Sequence, residues 1–176
     1  MGKNKAIFLD RDGVINEVVI RDGKQTSPRS FEEFRINSGI NEVLRELKRQ
    51  KFLNIIITNQ PEVDRRLVEK KVVDEIHRSI KTNLSIDDLF VCFHDDRHNC
   101  NCRKPKPGLL LEATEKWNID LSKSFIVGDT QKDVEAGQAA GLKIILIDTF
   151  YNQGVKSDYR IKDFEEILNL VSRYIY

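Results

Sequence analysis

Apolar and polar positions alternate along this chain in blocks, and the length of each block separates strand from helix. Short apolar runs at residues 6–9, 52–57, 89–92, 124–127 and 143–147 have the length of buried strands, and each gives way abruptly to polar residues. Between them, apolar residues recur at helical spacing. Ile40, Val43, Leu44 and Leu47 form one stripe, with Lys48, Arg49 and Lys51 near the C-terminal end, where cations complement the helix dipole. Val63, Leu67, Val68, Val72, Ile76 and Ile80 predict a long second helix over 62–84, with Pro61 near its start. Leu110, Leu111, Ala113, Thr114 and Trp117 predict an inward face over 107–117. A short helix closes through 136–140 at Gly141, and a final one covers 164–174. Residues 17–35 show no sustained periodicity and read as a long loop. About five alternations of strand and helix predict an α/β fold, an open and mostly parallel sheet with right-handed crossovers.

Composition narrows this picture. The chain has 176 residues, 40% hydrophobic and 32% charged, which fits one domain over 1–176 with a substantial core. No repeat or low-complexity tract divides it. Lys plus Arg (29) nearly balances Asp plus Glu (28), so no global field draws the protein to nucleic acid or an anionic membrane. No apolar run approaches the ~20 residues that span a bilayer, and none resembles a leader. The expectation is a monomeric cytoplasmic protein that recruits its ligand locally.

In open parallel sheets, ligands bind beyond the carboxyl ends of the strands. The costly polar residues fall there: Asp10, Asp12 and Gly13 after the first strand, Thr58, Asn59 and Gln60 after the second, Asp129 and Asp133 after the fourth. Three carboxylates at one sheet edge repel one another unless a cation joins them, and hard oxygen ligands suit Mg2+. A carboxylate can attack phosphorus, provided that a metal and a lysine such as Lys104 offset its charge. Thr58 and Asn59 can donate hydrogen bonds to the oxygens of the group in transfer. Asp12 can protonate a leaving oxygen and then deprotonate a water.

The three cysteines lie within eleven residues. Cys92, His94, Cys100 and Cys102 make a complete N/S set for a structural Zn2+ in a loop spanning 92–102, with His98 as an alternative to His94. Such a metal would fix the loop that carries Arg103 and Lys104. His77, on a helix, reads as an ordinary packing residue.

Asp10-Arg11-Asp12-Gly13, Thr58-Asn59-Gln60, Arg103-Lys104-Pro105 and Gly128-Asp129-x-x-x-Asp133, in this order, resemble the four motifs of the haloacid dehalogenase (HAD) superfamily of phosphatases. With the metal loop, the fuller strings resemble the subgroup that contains heptose bisphosphate and histidinol-phosphate phosphatases. The resemblance implies a Rossmann-like three-layer fold without a large cap domain. It also implies that Asp10 is the nucleophile, Asp12 the general acid/base, and Thr58 and Lys104 the phosphoryl stabilisers. Arg11, Asn59, Gln60 and Arg103 would contact substrate. Mg2+ would be held by Asp10, the Asp12 backbone carbonyl and Asp129, with Asp133 just outside. The substrate would be a small sugar phosphate, heptose 1,7-bisphosphate ahead of histidinol phosphate. A nucleic-acid 3′-phosphatase and a non-enzymatic zinc-stabilised binding domain are the readings from other classes. Pro61-Glu62 replaces the usual Ser-Gly, Arg66 a glycine and Thr130 a lysine, and residues 17–35 lack family wording, so no substrate contact is assigned there.

Overall fold

The computed structural model describes residues 2–174. Six strands form one sheet in the order β5-β4-β1-β6-β7-β8, and every neighbouring pair is parallel. These strands are β1 (Lys5–Leu9), β4 (Phe52–Asn59), β5 (Asp88–Cys92), β6 (Phe125–Gly128), β7 (Lys143–Ile147) and β8 (Tyr159–Ile161). A separate hairpin, β2 (Val19–Arg21) and β3 (Lys24–Thr26), follows β1. The helices are α1 (Ile40–Arg49), α2 (Lys70–Asn83), α3 (Gly108–Trp117), α4 (Gln131–Ala140) and α5 (Glu166–Ser172).

Alternation along β1 splits the core in two. Ile7 and Leu9 face a cluster with α1, α2 and α5, including Leu44, Ile76 and Ile167. Ala6 and Phe8 face the other side, where Leu109, Leu110 and Ala113 of α3 and Val134 of α4 pack. The result is the three-layer α/β architecture, with helices on both faces of the sheet. β1 sits between β4 and β6, so the chain departs from it in opposite directions, and its carboxyl end lies at a topological switch point.

Several elements differ from the pattern-based expectation. The second helix begins at Lys70, because Arg66 adopts φ +58° in a run of turns and bends over 61–68; Val63, Leu67 and Val68 are outside it, and Leu67 is exposed. On α3, Leu109 rather than Leu111 joins the buried stripe; Leu111 lies on the opposite side and faces solvent. α4 starts at Gln131, five residues before the expected stretch, while Gly141 caps it in the left-handed region as expected. The sixth strand, β8, is three residues long and gives almost no periodic signal. The expected loop over 17–35 contains the hairpin, whose turn at Asp22 (φ +50°) and Gly23 (φ +72°) is an Asp-Gly pair suited to a two-residue connection. α5 ends at Ser172, within the expected span.

Candidate active site

Each strand of the central group delivers polar residues to the same edge. Asp10 follows β1, Thr58 and Asn59 close β4, and Asp129 follows β6. Beside them opens a cavity of about 430 Å3 lined by Asp10, Asp12, Asn59, Arg103, Lys104 and Asp129, with further wall from Gln25, Thr26, Ser27, Glu62, Arg65, Lys132 and Tyr151. Arg11, Thr58 and Gln60 are absent from that wall and essentially inaccessible.

Lys104 is the electrostatic hub. It is buried, and its ammonium reaches Asp10 (2.8 Å), Asp133 (2.5 Å) and the Ile57 carbonyl (3.1 Å), which uses all three of its protons. Burial alone would lower its pKa, but the two carboxylates raise it above the usual lysine value. Asp133, placed by expectation beside the metal, spends its other oxygen on the start of α4, accepting from the Thr130 amide (3.1 Å) and hydroxyl (2.6 Å). Thr130 thus works as a helix cap where the family pattern has a lysine.

Asp10 and Asp129 carry the opposite strain. Burial, reinforced by Asp133, pushes Asp10 up to about 7, with Lys104 opposing. Burial and the charges of Asp10 and Asp133 raise Asp129 well above the ordinary carboxyl range. Tyr151 donates a hydrogen bond to one Asp129 oxygen, Asn152 donates to its backbone carbonyl (2.8 Å), and the buried Oδ1 has no partner. Oxygens of Asp10, Asp129 and Asp133 lie within 4.8 Å of one another. An orphaned carboxylate oxygen among mutually repelling carboxylates fits a hard divalent cation. The space is kept by glycine: a side chain at Gly13, which has φ +85°, would collide with Asp129, and one at Gly128 with Asp133.

Asp12 is held differently. Burial works against its charge, but Arg11 beside it, with donors from Asn16 and Gln60, holds its pKa below the usual value. Its oxygens accept from Arg11 (2.8 and 3.0 Å), Asn16 (3.0 Å), Ser27 (2.8 Å) and Gln60 (2.8 Å). It therefore rests as a carboxylate, the form that takes a proton from water. This corrects the expectation for Arg11 and Gln60: both face Asp12 rather than the cavity, and Gln60 also donates to Thr58 (2.9 Å). Asn59 reaches the cavity, but its amide grips the Lys104 backbone through two bonds (3.0 and 3.1 Å) and so positions the lysine. Arg103 is buried against the cavity with its Nη1 unpartnered.

The cysteine loop assembles as a cluster. Sγ of Cys102 lies 2.9 Å from Cys92 and 3.4 Å from Cys100, Cys92 and Cys100 are 3.7 Å apart, and His94 Nδ1 lies 3.3 Å from Cys102. These four side chains can hold a metal ion. His98 does not join them; its Nε2 faces Asp64 at 2.9 Å. Two acidic residues of the loop reach arginines of the cavity wall: Asp96 binds Arg103 (2.7 Å), and Asp95 pairs with Arg65.

Ser27, Tyr151, Asn152 and the Asp95–Asp96 pair were not foreseen. For Tyr151 and Asn152 a signal existed, since they follow a strand at the ligand edge. Ser27 has none, because the hairpin that brings it to Asp12 lies in a stretch without sustained periodicity.

The fold and this constellation define a hydrolase of the HAD class, and the chain belongs to the HAD-like hydrolase family. A family model described as HAD-hydrolase-like matches residues 101–166. The D-glycero-beta-D-manno-heptose-1,7-bisphosphate 7-phosphatase of Helicobacter pylori is 33% identical, covering 97% of this chain and 99% of that one. The D-glycero-alpha-D-manno-heptose-1,7-bisphosphate 7-phosphatase of Campylobacter jejuni is 34% identical over 95% of both. Among solved structures, the D,D-heptose 1,7-bisphosphate phosphatase from B. bronchiseptica, complexed with magnesium and phosphate, superposes with a TM-score of 0.81 at 25% identity, covering 96% of this chain and 98% of that one.

Proposed function

We propose that this protein is a Mg2+-dependent phosphatase that removes the 7-phosphate of D-glycero-D-manno-heptose 1,7-bisphosphate through a phosphoryl group carried on Asp10. The observation that carries the reading is the division of labour between two neighbouring carboxylates. Asp10 is paired with Lys104 and pushed up to about 7, whereas Asp12 is held ionised by donors on every side. The rise of Asp10 is that of a carboxyl beside other carboxylates with no cation among them; a divalent ion at the orphaned Asp129 oxygen would return it to the ionised form a nucleophile needs, while Asp12 has its charge offset by Arg11.

An Asp10 oxygen attacks phosphorus and the bond from phosphorus to the sugar oxygen breaks; Asp12, which takes up the proton that the phosphate monoanion brings in, passes it to the leaving oxygen. Water then attacks the aspartyl-phosphate, Asp12 takes the water's proton, and the bond from phosphorus to Asp10 breaks to release inorganic phosphate. Lys104 offsets negative charge on the phosphoryl oxygens and Arg103 lines the cavity beside it; Thr58, expected to join them, lies behind the wall, where its hydroxyl accepts from Gln60. Bound between Asp10, Asp129 and the Asp12 carbonyl, with Asp133 just outside, Mg2+ would supply positive charge to the phosphate and keep Asp10 ionised. Cys92, His94, Cys100 and Cys102 hold a structural Zn2+ in this reading, fixing the segment that bears Arg103 and Lys104. The free cysteines accord with a reducing cytoplasm, and one domain acting as a monomer suffices for every residue of the site. No helix among the described residues is long and apolar enough to cross a membrane.

The test is phosphate release at millimolar Mg2+ from both anomers of heptose 1,7-bisphosphate, histidinol phosphate, other sugar phosphates and a 3′-phosphorylated oligonucleotide. Preferred turnover of a heptose bisphosphate, abolished by Asp10→Asn, is the expected result. No release from any member would overturn the enzyme reading.

A further inference from the structure

Arg11 and His77 are buried, polar and outside the cavity wall, so neither is explained by contact with substrate. Arg11 is fully enclosed. One side of its guanidinium, Nε and Nη2, is committed to Asp12 (3.1, 2.8 and 3.0 Å), and Nη1 on the other side lies 3.1 Å from His77 Nε2. A guanidinium has only donors and does not deprotonate in proteins, so the arginine donates and His77 Nε2 accepts. That assigns the histidine ring proton to Nδ1 and requires a neutral ring. The surroundings enforce it: burial first, then the charge of Arg11, push His77 down to about 3, against the pull of Asp12 and Asp74. His77 sits on α2 between core residues Val73, Ile76 and Ile80, so its position is fixed by the packing of that helix on the sheet.

We infer that His77 is a positioning residue for the phosphatase reaction. It holds the Arg11 guanidinium in the plane that forks onto Asp12, and through Arg11 it aims the proton-carrying carboxylate at the cavity. Without an acceptor at that point, Nη1 is a buried donor with no partner. The guanidinium then gains by turning toward another acceptor, which breaks the fork. Asn16, Ser27 and Gln60 still reach Asp12, but none brings a charge. The inference rests on the phosphatase reading above, because it gives Asp12 the proton.

The experiment compares His77→Gln, whose amide oxygen can replace the Nε2 acceptor, with His77→Phe, which fills similar space and accepts nothing. With heptose bisphosphate, kcat of the phenylalanine variant is expected to fall about 10- to 100-fold, part of the roughly 10²- to 10⁴-fold that general acid–base catalysis contributes. KM should stay within about twofold, since the substrate contacts are untouched. The glutamine variant should recover most of kcat. If the phenylalanine variant does not fold, Arg11→Lys carries the same test, as it keeps the charge and loses the fork; an equal fall in kcat is expected. Wild-type kcat in His77→Phe or in Arg11→Lys, or no recovery with His77→Gln, overturns the inference alone. Long-range ¹H–¹⁵N spectra of the wild type should show His77 as the neutral Nδ1–H tautomer at pH 7, and the other tautomer would also overturn it. An inactive wild type would overturn both the phosphatase reading and any catalytic role for His77, whatever the tautomer.

Discussion

The carboxylates at the sheet edge make stability depend on pH and on Mg2+, in a direction that the structure fixes. Asp10 moves from 3.8 to about 7 on folding. Between those values the folded protein keeps a proton that the unfolded chain has lost, so the stability this group contributes is complete below pH ~4 and is lost as pH rises through about 7. The full effect is on the order of 4 kcal/mol at ~1.4 kcal/mol per pH unit, and somewhat less because the side chain retains 13% exposure. His77 acts in the opposite sense. Held at about 3, it contributes stability that is present above pH ~6.5 and lost as pH falls toward 3. A raw stability curve would therefore show the two nearly cancelling over part of the range. Asp10→Asn removes only the first, so the informative quantity is the difference between variant and wild type. Urea unfolding from pH 4.5 to 8, without added Mg2+, measures it. Chelators are left out because they would also remove the Zn2+ proposed for the cysteine cluster. The variant is expected to gain on the wild type by several kcal/mol across this range, and millimolar Mg2+ should abolish that gain by stabilising the wild type at high pH. A difference that stays flat or falls with pH, or that Mg2+ leaves unchanged, would refute the account of a repelling carboxylate cluster built for a cation.

Three other outcomes follow from the site. Tyr151→Phe removes the donor that orients Asp129, and Mg2+ affinity by calorimetry should weaken about 10-fold, in the range typical of groups that orient metal ligands; an unchanged Kd would count against it. Asp96→Ala frees Arg103 from an exposed carboxylate worth ~1 kcal/mol or less, so KM should change no more than about fivefold while kcat holds; a collapse in kcat would mean that the metal loop does more than steady Arg103. Gly13→Ala places a methyl group against Asp129 and a β-carbon at φ +85°, which costs at least ~1–2 kcal/mol. A melting temperature equal to wild type would show that the Asp129 carboxylate yields easily.

Much of this protein is written locally. Runs such as 52–57 and stripes such as Ile40, Val43, Leu44 and Leu47 need only the periods of strand and helix to be recognised. The order of the motifs around Asp10, Thr58, Lys104 and Asp129 was likewise visible before any packing was known. Local signals mislead where they conflict or are short. The turn at Arg66 interrupts an apparently continuous stripe, and the Asp-Gly hairpin signal was hidden in a polar stretch.

What tertiary structure alone decided is the partner of each polar group. The family resemblance implies that Arg11 contacts substrate, as one of the residues of the Asp10–Gly13 motif. A neighbour in sequence can face the other way, and here α2 brings His77 to meet it in the core. Sequence left His94 and His98 as rival metal ligands; the fold turns one toward the sulfurs and the other toward Asp64. Asp133 likewise had no visible link to Lys104, because their 2.5 Å contact joins residues 29 positions apart. Periodicity specifies which residues are buried and which strand ends share an edge. The sharing of a proton, a charge or a cation is set over a few ångströms, and only the packed chain fixes distances on that scale.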